Sequence, residues 1–143
     1  MSPNNPYNLE QNIAIRACAG AGKTYTLAWR YMVILDDFAY KSQHQIEQNW
    51  LGPKNILAIT FTKKATSELK KRIQETLSSI LKGEEVDFPV DLKHLNKHNS
   101  VYISWLQKQL LYPQIMTLDA FCMSILKDNP ILSGIDPGIK MMD

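Results

Sequence analysis

Residues Arg16–Leu27 read R-A-C-A-G-A-G-K-T-Y-T-L, and the reading of this stretch decides the fold. Ala17, Gly22, Lys23 and Thr24 fit the A/G-x4-G-K-S/T form of a phosphate-binding loop. Its glycines leave room for backbone N–H groups to converge on a phosphate, with no Cβ in the way. The cradle then comprises Ala19, Gly20, Ala21, Gly22, Lys23 and Thr24. Lys23 would reach the β- and γ-phosphates of a nucleotide, and the Thr24 hydroxyl would complete a Mg²⁺ shell. These two are the candidate catalytic residues, and Thr24 the candidate metal ligand. A helix starting at the loop adds its positive dipole end to the same site.

The flanking sequence supplies the context such a loop requires. Asn12–Ala17 (N-I-A-I-R-A) alternates as a short β-prone run, with Ile13 and Ile15 on one side. Beyond Thr24, residues Leu27, Tyr31, Ile34, Leu35 and Phe38 recur at helical spacing, which predicts a helix over 23–37. Strand, glycine loop and helix come in the required order. Val33–Asp37 imitates a hydrophobic strand ending in metal-binding acids. Its apolar positions keep helical period through Phe38, and no crossover separates it from the first strand, so Asp36 and Asp37 read as a solvated helix end.

At 143 residues the chain has the length of one domain, and 45% hydrophobic and 21% charged residues are ordinary for a globular protein. A net charge of +2 argues for no polyanionic partner unless charges cluster locally. Cys18 and Cys122 are the only cysteines, which points away from a disulfide framework and toward a reducing compartment. No apolar run approaches the roughly 18 residues of a membrane span, and Met1–Gln11 is polar, so a cytoplasmic location is expected.

Further along, Tyr40–Lys54 reads as a polar connector ending in Gly52-Pro53. Asn55–Phe61 (N-I-L-A-I-T-F) is a near-continuous apolar run, as expected of a strand buried on both faces. A helix over 65–81 comes next, with Leu69, Ile73, Leu77 and Ile80 inward and Gly83 as its stop. Residues 84–111 read as a loop and helix insertion whose helix, 101–111, packs Tyr102, Trp105 and Leu106 on the sheet. A strand over 114–118, a helix over 119–127 and a short strand over 139–142 complete the alternation. Alternating strands and helices predict an α/β fold with about four parallel strands. His94 and His98 stand i,i+4 but without a third ligand, which reads as surface rather than metal site.

The second chemical constellation is Thr60-Phe61-Thr62-Lys63, at the carboxyl edge of a parallel strand, where such folds place their ligands. Phe61 offers a stacking face for a base; Thr60, Thr62 and Lys63 offer hydroxyls and a cation for phosphates. Lys70, Lys71 and Arg72, further along the helix, read as a solvated face with a Glu68–Arg72 pair.

Three blocks together resemble a known family. A-G-A-G-K-T, then I-L-A-I-T-F-T-K-K-A-T-S-E-L-K-K-R-I, then I-M-T-L-D-A-F-C-M-S-I-L is similar to the N-terminal part of UvrD/RecB-type superfamily 1 DNA helicases, closer to the RecB-like branch. The blocks stand in the family's order, and G-I-D-P-G-I-K-M-M-D is similar to the family's segment after the third block, so the resemblance covers nearly all of residues 1–143. It implies a partial RecA-like domain binding ATP and Mg²⁺ at Lys23 and Thr24. It implies contact of Thr60, Phe61, Thr62 and Lys63 with single-stranded DNA, or with a single/double-strand junction, and of Thr117 and Asp119 along the same strand. Tyr25 stands where relatives stack an aromatic or arginine on the nucleotide. The implied partners are the remainder of a 3′→5′ helicase chain of DNA repair or recombination and a helicase-nuclease subunit.

Departures from the family pattern set further expectations. Ala120 replaces a serine, and Gln11 lies much closer to the loop than the family's adenine-reading glutamine. Nothing matches the D-E-x-D block that positions the attacking water, and no second RecA-like domain is present, so this stretch alone is expected to hydrolyse ATP poorly. An edge left open for later strands would favour self-association. Two rivals remain. Ile115–Asp119 also reads as an apolar run plus acid, which would make Asp119 the metal acid of a small complete P-loop kinase or ATPase. The other is a non-catalytic DNA-binding module.

Overall fold

A computed structural model describes residues 5–16, 22–42, 50–84, 89–95, 100–111, 113–134, 136 and 138. In chain order these form α1 (Lys23–Ser42), a 3-10 turn (Pro53–Asn55), β1 (Ala58–Thr60), α2 (Lys63–Lys82), α3 (Ser100–Gln109), β2 (Ile115–Thr117), α4 (Leu118–Asp128) and the short α5 (Pro130–Ser133). β1 and β2 pair in parallel, with Ala58 opposite Ile115 and Thr60 opposite Thr117. The α/β class and the parallel pairing agree with the sequence reading. The described residues hold a two-stranded sheet, however, where alternation predicts about four strands. The strand expected over 139–142 lies outside the described residues, as do Ala17–Ala21 of the loop, His44 and His98.

The run Asn12–Arg16 is not a strand. Alternating apolar residues make a strand only where a ladder partner exists, and no described strand pairs with this one. Arg30 of α1 instead holds the arm ahead of it. Its Nη1 donates to the carbonyls of Pro6 at 2.6 Å and Asn8 at 3.0 Å, and its Nη2 to that of Gln11 at 3.4 Å.

α2 is the central helix, packed against α1, α3 and both strands. Thr62 caps its start, its hydroxyl accepting from Ala65 N at 3.1 Å, and Gly83 ends it at φ +70°, a left-handed conformation that favours glycine. The cap starts the helix at Lys63, ahead of the expected Ala65. Leu69, Ile73 and Leu77, four residues apart, are fully buried. They meet Tyr31, Met32 and Leu35 of α1 and Tyr102, Ile103 and Leu106 of α3 in one core.

Three expectations are corrected here. α1 runs on past Asp37 to Ser42, because Ala39 and Ser42 continue its buried stripe. Asp36 is not solvated: it is 9% exposed, and its Oδ1 accepts from the backbone N–H of His94 at 2.8 Å and of Leu95 at 2.7 Å. It pins the 93–95 turn to α1, while Asp37 pairs with Lys41 on the outside. The α3 aromatics, expected on the sheet, pack chiefly on residues 50–55 and on one another. Tyr102 and Trp105 stack at 5.7 Å, Trp50 stands edge-on to both, and the Tyr102 hydroxyl donates to Leu51 O at 2.8 Å. Burial pushes that phenol up to about 12. Gly52 permits the arrangement, since a Cβ there would stand 2.7 Å from Trp105 Cζ3.

The strand expected over 55–61 shortens to Ala58–Thr60 and is buried on one face only. Ile56, Ala58 and Thr60 point inward, whereas Leu57 is 44% and Ile59 39% exposed. One helical layer covers the inner face, and among the described residues no second layer seals the other. The last helix starts at Leu118 under a Thr117 cap and gives way at Asn129 to α5, whose Pro130 suits a first helical turn.

Candidate functional site

The described part of the phosphate loop is its helical end. Gly22 has φ +78°, the left-handed region that a Cβ disfavours, and its carbonyl accepts the first helical bond, from Thr26 N at 2.9 Å. α1 therefore opens at Lys23, directly after the glycine. Lys23 is exposed and Thr24 half-buried, on the first helical turn, whose N–H groups lie outside the intrahelical ladder. Ala19, Gly20 and Ala21 lie outside the described residues. The features that are present fit a phosphate group: a turn only glycine takes easily, a helix start and a cation. A single hydroxyl at Thr24 also suits Mg²⁺, which keeps waters and phosphate oxygens as its other ligands.

Two recesses adjoin this helix start. One of about 340 Å³ is lined by Ile13, Ile15, Lys23, Thr26, Leu27 and Arg30. The other, about 480 Å³, lies between Thr26 and the run from Gln11 to Arg16, with Pro6 at its rim. Gln11, which sequence spacing set aside, thus stands within reach of the loop helix. Arg30 was not singled out by sequence reasoning. It shares a helix face with Lys23 at i,i+7, but its role in tethering the arm depends on carbonyls that no side-chain pattern advertises.

Tyr25, the expected stacking residue, is 42% exposed on the first turn of α1, edge-on to Trp29 at 5.9 Å. The Arg72 guanidinium of α2 lies 5.2 Å from its ring centroid, and Glu68 pairs with Arg72 at 3.7 Å. The Glu68–Arg72 pair matches the sequence reading. The contact with Tyr25 gives Arg72 a second partner that the reading did not contain.

The carboxyl edge of the sheet gathers the second constellation. Because Thr60 and Thr117 are register partners, β1 and β2 end at the same level, and α2 and α4 begin side by side. Each start is capped alike: Thr62 Oγ1 accepts from Ala65 N at 3.1 Å and Thr117 Oγ1 from Ala120 N at 3.2 Å. A capping hydroxyl still keeps its own proton to donate. Phe61 stands out from this edge at 88% exposure, with Lys63, Lys64 and Asp119 exposed around it. Thr60 differs from its neighbours. It is buried, and its hydroxyl lies 2.6 Å from that of Thr66 and 3.2 Å from the Thr62 carbonyl, to which Thr66 also donates at 3.1 Å. Thr60 therefore shapes the turn that presents Phe61 and offers no surface of its own. The structure so brings Phe61, Thr62, Lys63, Thr117 and Asp119 to one edge.

Among the described residues, no group of three or more His, Cys, Asp or Glu side chains could hold a metal ion, and no helix is long and apolar enough to cross a membrane.

Comparison with known proteins gives a consistent picture. The model of the UvrD/REP helicase N-terminal domain matches residues 3–143. The A-subunit of an ATP-dependent helicase/nuclease of Thermoanaerobacter pseudethanolicus is 30% identical over 132 residues, covering 92% of this chain and 9% of that protein. The protein of the same name from Listeria welshimeri is also 30% identical, with the same coverage. That from Desulfitobacterium hafniense is 29% identical over 137 residues, covering 95% of this chain and 8% of its own length. The chain thus spans less than a tenth of the relatives it matches.

Proposed function

The chain belongs to the UvrD/REP helicase family, and from that membership we propose that it is the ATP-binding, single-strand-contacting front part of an ATP-dependent DNA helicase. ATP sits at the loop ending in Gly22–Thr24, with Lys23 on the β/γ-phosphates, Thr24 toward Mg²⁺ and Tyr25 against the base. Mg²⁺, when bound, neutralises phosphate charge; the chain's own part is to orient the phosphates on the α1 N-terminus. The DNA strand crosses the carboxyl edge, stacking a base on Phe61. Its phosphates meet Lys63 and the Thr62 and Thr117 hydroxyls, and Asp119 lies along the same strand, reading sugar or base groups. Thr60 serves as a positioning residue.

The observation that carries this reading is the shared edge: by register, the strand end that presents the exposed Phe61 is level with the other, and each strand leads into a threonine-capped helix. Helix starts attract phosphates and a bare aromatic ring attracts bases, and a single-stranded nucleic acid supplies both at once.

The rest of the machine is built on the same reading. Further strands complete the RecA-like sheet beside β1 and β2, and a second such domain supplies the groups that act on the γ-phosphate. Movement is 3′→5′, in repair or recombination. The relatives are named as one subunit of a helicase/nuclease, which supports a partner subunit carrying nuclease or helicase function. The chain by itself turns over ATP slowly; rapid DNA-stimulated hydrolysis by the purified 143-residue chain would contradict this.

The direct test is a pair of titrations. Lys23→Ala should weaken binding of a fluorescent ATP analogue roughly 10- to 100-fold, the loss of a charge-assisted phosphate contact, and leave oligothymidine binding intact. Phe61→Ala should do the converse, weakening oligothymidine binding roughly 5- to 100-fold. Unchanged affinities in either variant remove that residue from its site.

A further inference from the structure

The same helix that opens at the DNA edge also reaches the nucleotide's stacking residue. α2 begins at Lys63, beside Phe61, and Arg72 lies on it roughly 13 Å further along, at about 1.5 Å per residue. There its guanidinium stands over the Tyr25 ring, 5.2 Å from the centroid, while Glu68 at 3.7 Å holds it from the preceding turn. Tyr25 in turn sits on the first turn of α1, next to Lys23 and Thr24, and its edge rests on Trp29. An unbroken helix thus carries the DNA edge at one end and a cation on the nucleotide's aromatic partner further along. Arginine suits this place, because its planar, weakly hydrated cation stacks on a ring while keeping an ion pair in plane; lysine does so poorly.

We propose that Arg72 is a positioning residue that holds Tyr25 in its base-stacking orientation and couples the occupancy of the DNA edge to that of the nucleotide site. This rests on the nucleotide and DNA reading given above. With Arg72 on the ring, Tyr25 loses less freedom when a purine stacks on its open part, so the base binds more tightly. A strand bound at Phe61 and Lys63 fixes the first turn of α2 and, through the continuous helix, the position of Arg72. By linkage, nucleotide strengthens DNA binding by the same factor. The triphosphate contacts at Gly22–Thr24 do not depend on Arg72, so the effect belongs to the base alone.

The experiment measures binding of a fluorescent ATP analogue to the 143-residue chain with and without saturating oligothymidine, with unlabelled ATP and inorganic tripolyphosphate as competitors. In the parent chain, oligothymidine should tighten the ATP analogue. Arg72→Ala should weaken ATP roughly two- to fivefold, the scale of an exposed cation–π contact, and bring the ratio with and without DNA close to one. Tripolyphosphate affinity should stay unchanged, an outcome that a general loss of folding would not produce. Tyr25→Ala removes the stacking ring itself and should cost at least as much as Arg72→Ala, and the double variant should lose no more than Tyr25→Ala alone. The inference is overturned if Arg72→Ala leaves ATP affinity and the DNA ratio unchanged, if tripolyphosphate weakens in parallel, or if the two single losses add. Failure of the underlying reading looks different: ATP affinity would be insensitive to Lys23→Ala, or oligothymidine would not bind, and the inference falls with it.

Discussion

The helices α1, α2 and α3 and the helices α4 and α5 belong to one chain but differ in what they bury. The first three give the core most of its fully buried side chains, Leu35, Leu69, Ile73, Leu77, Tyr102 and Leu106 among them. The last two bury none, and Ile125, Ile131 and Leu132 face outward, with Ile131 at 96% exposure. Leu57, just ahead of β1, and Ile59 within it are likewise exposed. Hydrophobic side chains are present in both halves, so composition does not explain the contrast; the number of layers does. Where helices stack on helices and on the inner sheet face, apolar spacing turns into burial. Where the second layer is missing among the described residues, the same spacing leaves a bare face. The candidate DNA edge lies at the seam, since α2 comes from the packed half and α4 from the open one.

The contrast is sharpest in the cost of truncation. Leu69→Ala or Leu77→Ala should destabilise the chain by about 2–5 kcal/mol, the usual range for emptying a sealed site on the side of α2 that meets α1 and α3. Ile125→Ala in α4 should stay within about 0.5 kcal/mol, as a half-exposed site does. Urea midpoints at constant m-value measure both. Comparable losses in the two helices would mean that α4 is packed in solution, and the division into halves would fail.

Asp36 tests how the packed half is fastened. Removing its carboxylate in Asp36→Ala leaves the His94 and Leu95 N–H groups without their acceptor, at a cost of about 1–3 kcal/mol. Asp36→Asn keeps an acceptor oxygen and removes the charge. Burial raises the Asp36 pKa, with the two backbone bonds pulling back less strongly. A raised native pKa means that the protonated form favours folding, so its stabilising contribution is full below the ordinary carboxylate range and is lost as pH rises through the native value. The stability of Asp36→Asn relative to the parent should therefore increase from acid toward neutral pH. A difference that is flat with pH, or falls, would show a carboxylate comfortable as an anion and a segment not sealed over it.

The parts of this fold that a linear reading finds are those whose cause is local. α2 is legible in its body and its stop, a four-residue apolar beat through Leu69, Ile73 and Leu77 and Gly83 in the left-handed turn, while its Thr62 cap starts it ahead of the expected Ala65. The candidate site's ingredients are legible for the same reason, because Gly22-Lys23-Thr24 and Phe61-Thr62-Lys63 are each runs of adjacent residues. The features that escape have a partner far away in sequence. Asp36 reads as a wet helix end because the N–H groups that donate to it lie 58 and 59 residues on. Arg72 reads as a surface cation, and Arg30 draws no reading at all, for the same reason: Arg72 meets the Tyr25 ring and Arg30 grips the N-terminal arm. Asn12–Arg16 reads as a strand because its side chains alternate, but a ladder is made by two segments, and only one was being read. Thr60 shows the limit of motif logic: it stands inside the T-F-T block, yet its hydroxyl is spent on Thr66 and the Thr62 carbonyl.

The smallest expected effect probes the open half itself. Ile131 and Leu132, on one short helix turn after Pro130, are exposed in the folded chain, so replacing both by serine costs almost no buried area. Folding stability should move by less than about 0.5 kcal/mol. Association is another matter. Exposed apolar side chains at Ile125, Ile131 and Leu132, on a chain whose described sheet has two strands, are the kind of surface that pairs with a copy of itself when nothing else covers it. Sedimentation of the parent chain should show mass increasing with concentration, and the Ile131→Ser, Leu132→Ser variant should shift toward monomer at unchanged urea midpoint. If the double serine variant instead unfolds at lower urea, these side chains were buried in the monomer. In that case α5 belongs with the packed half, and the seam lies elsewhere.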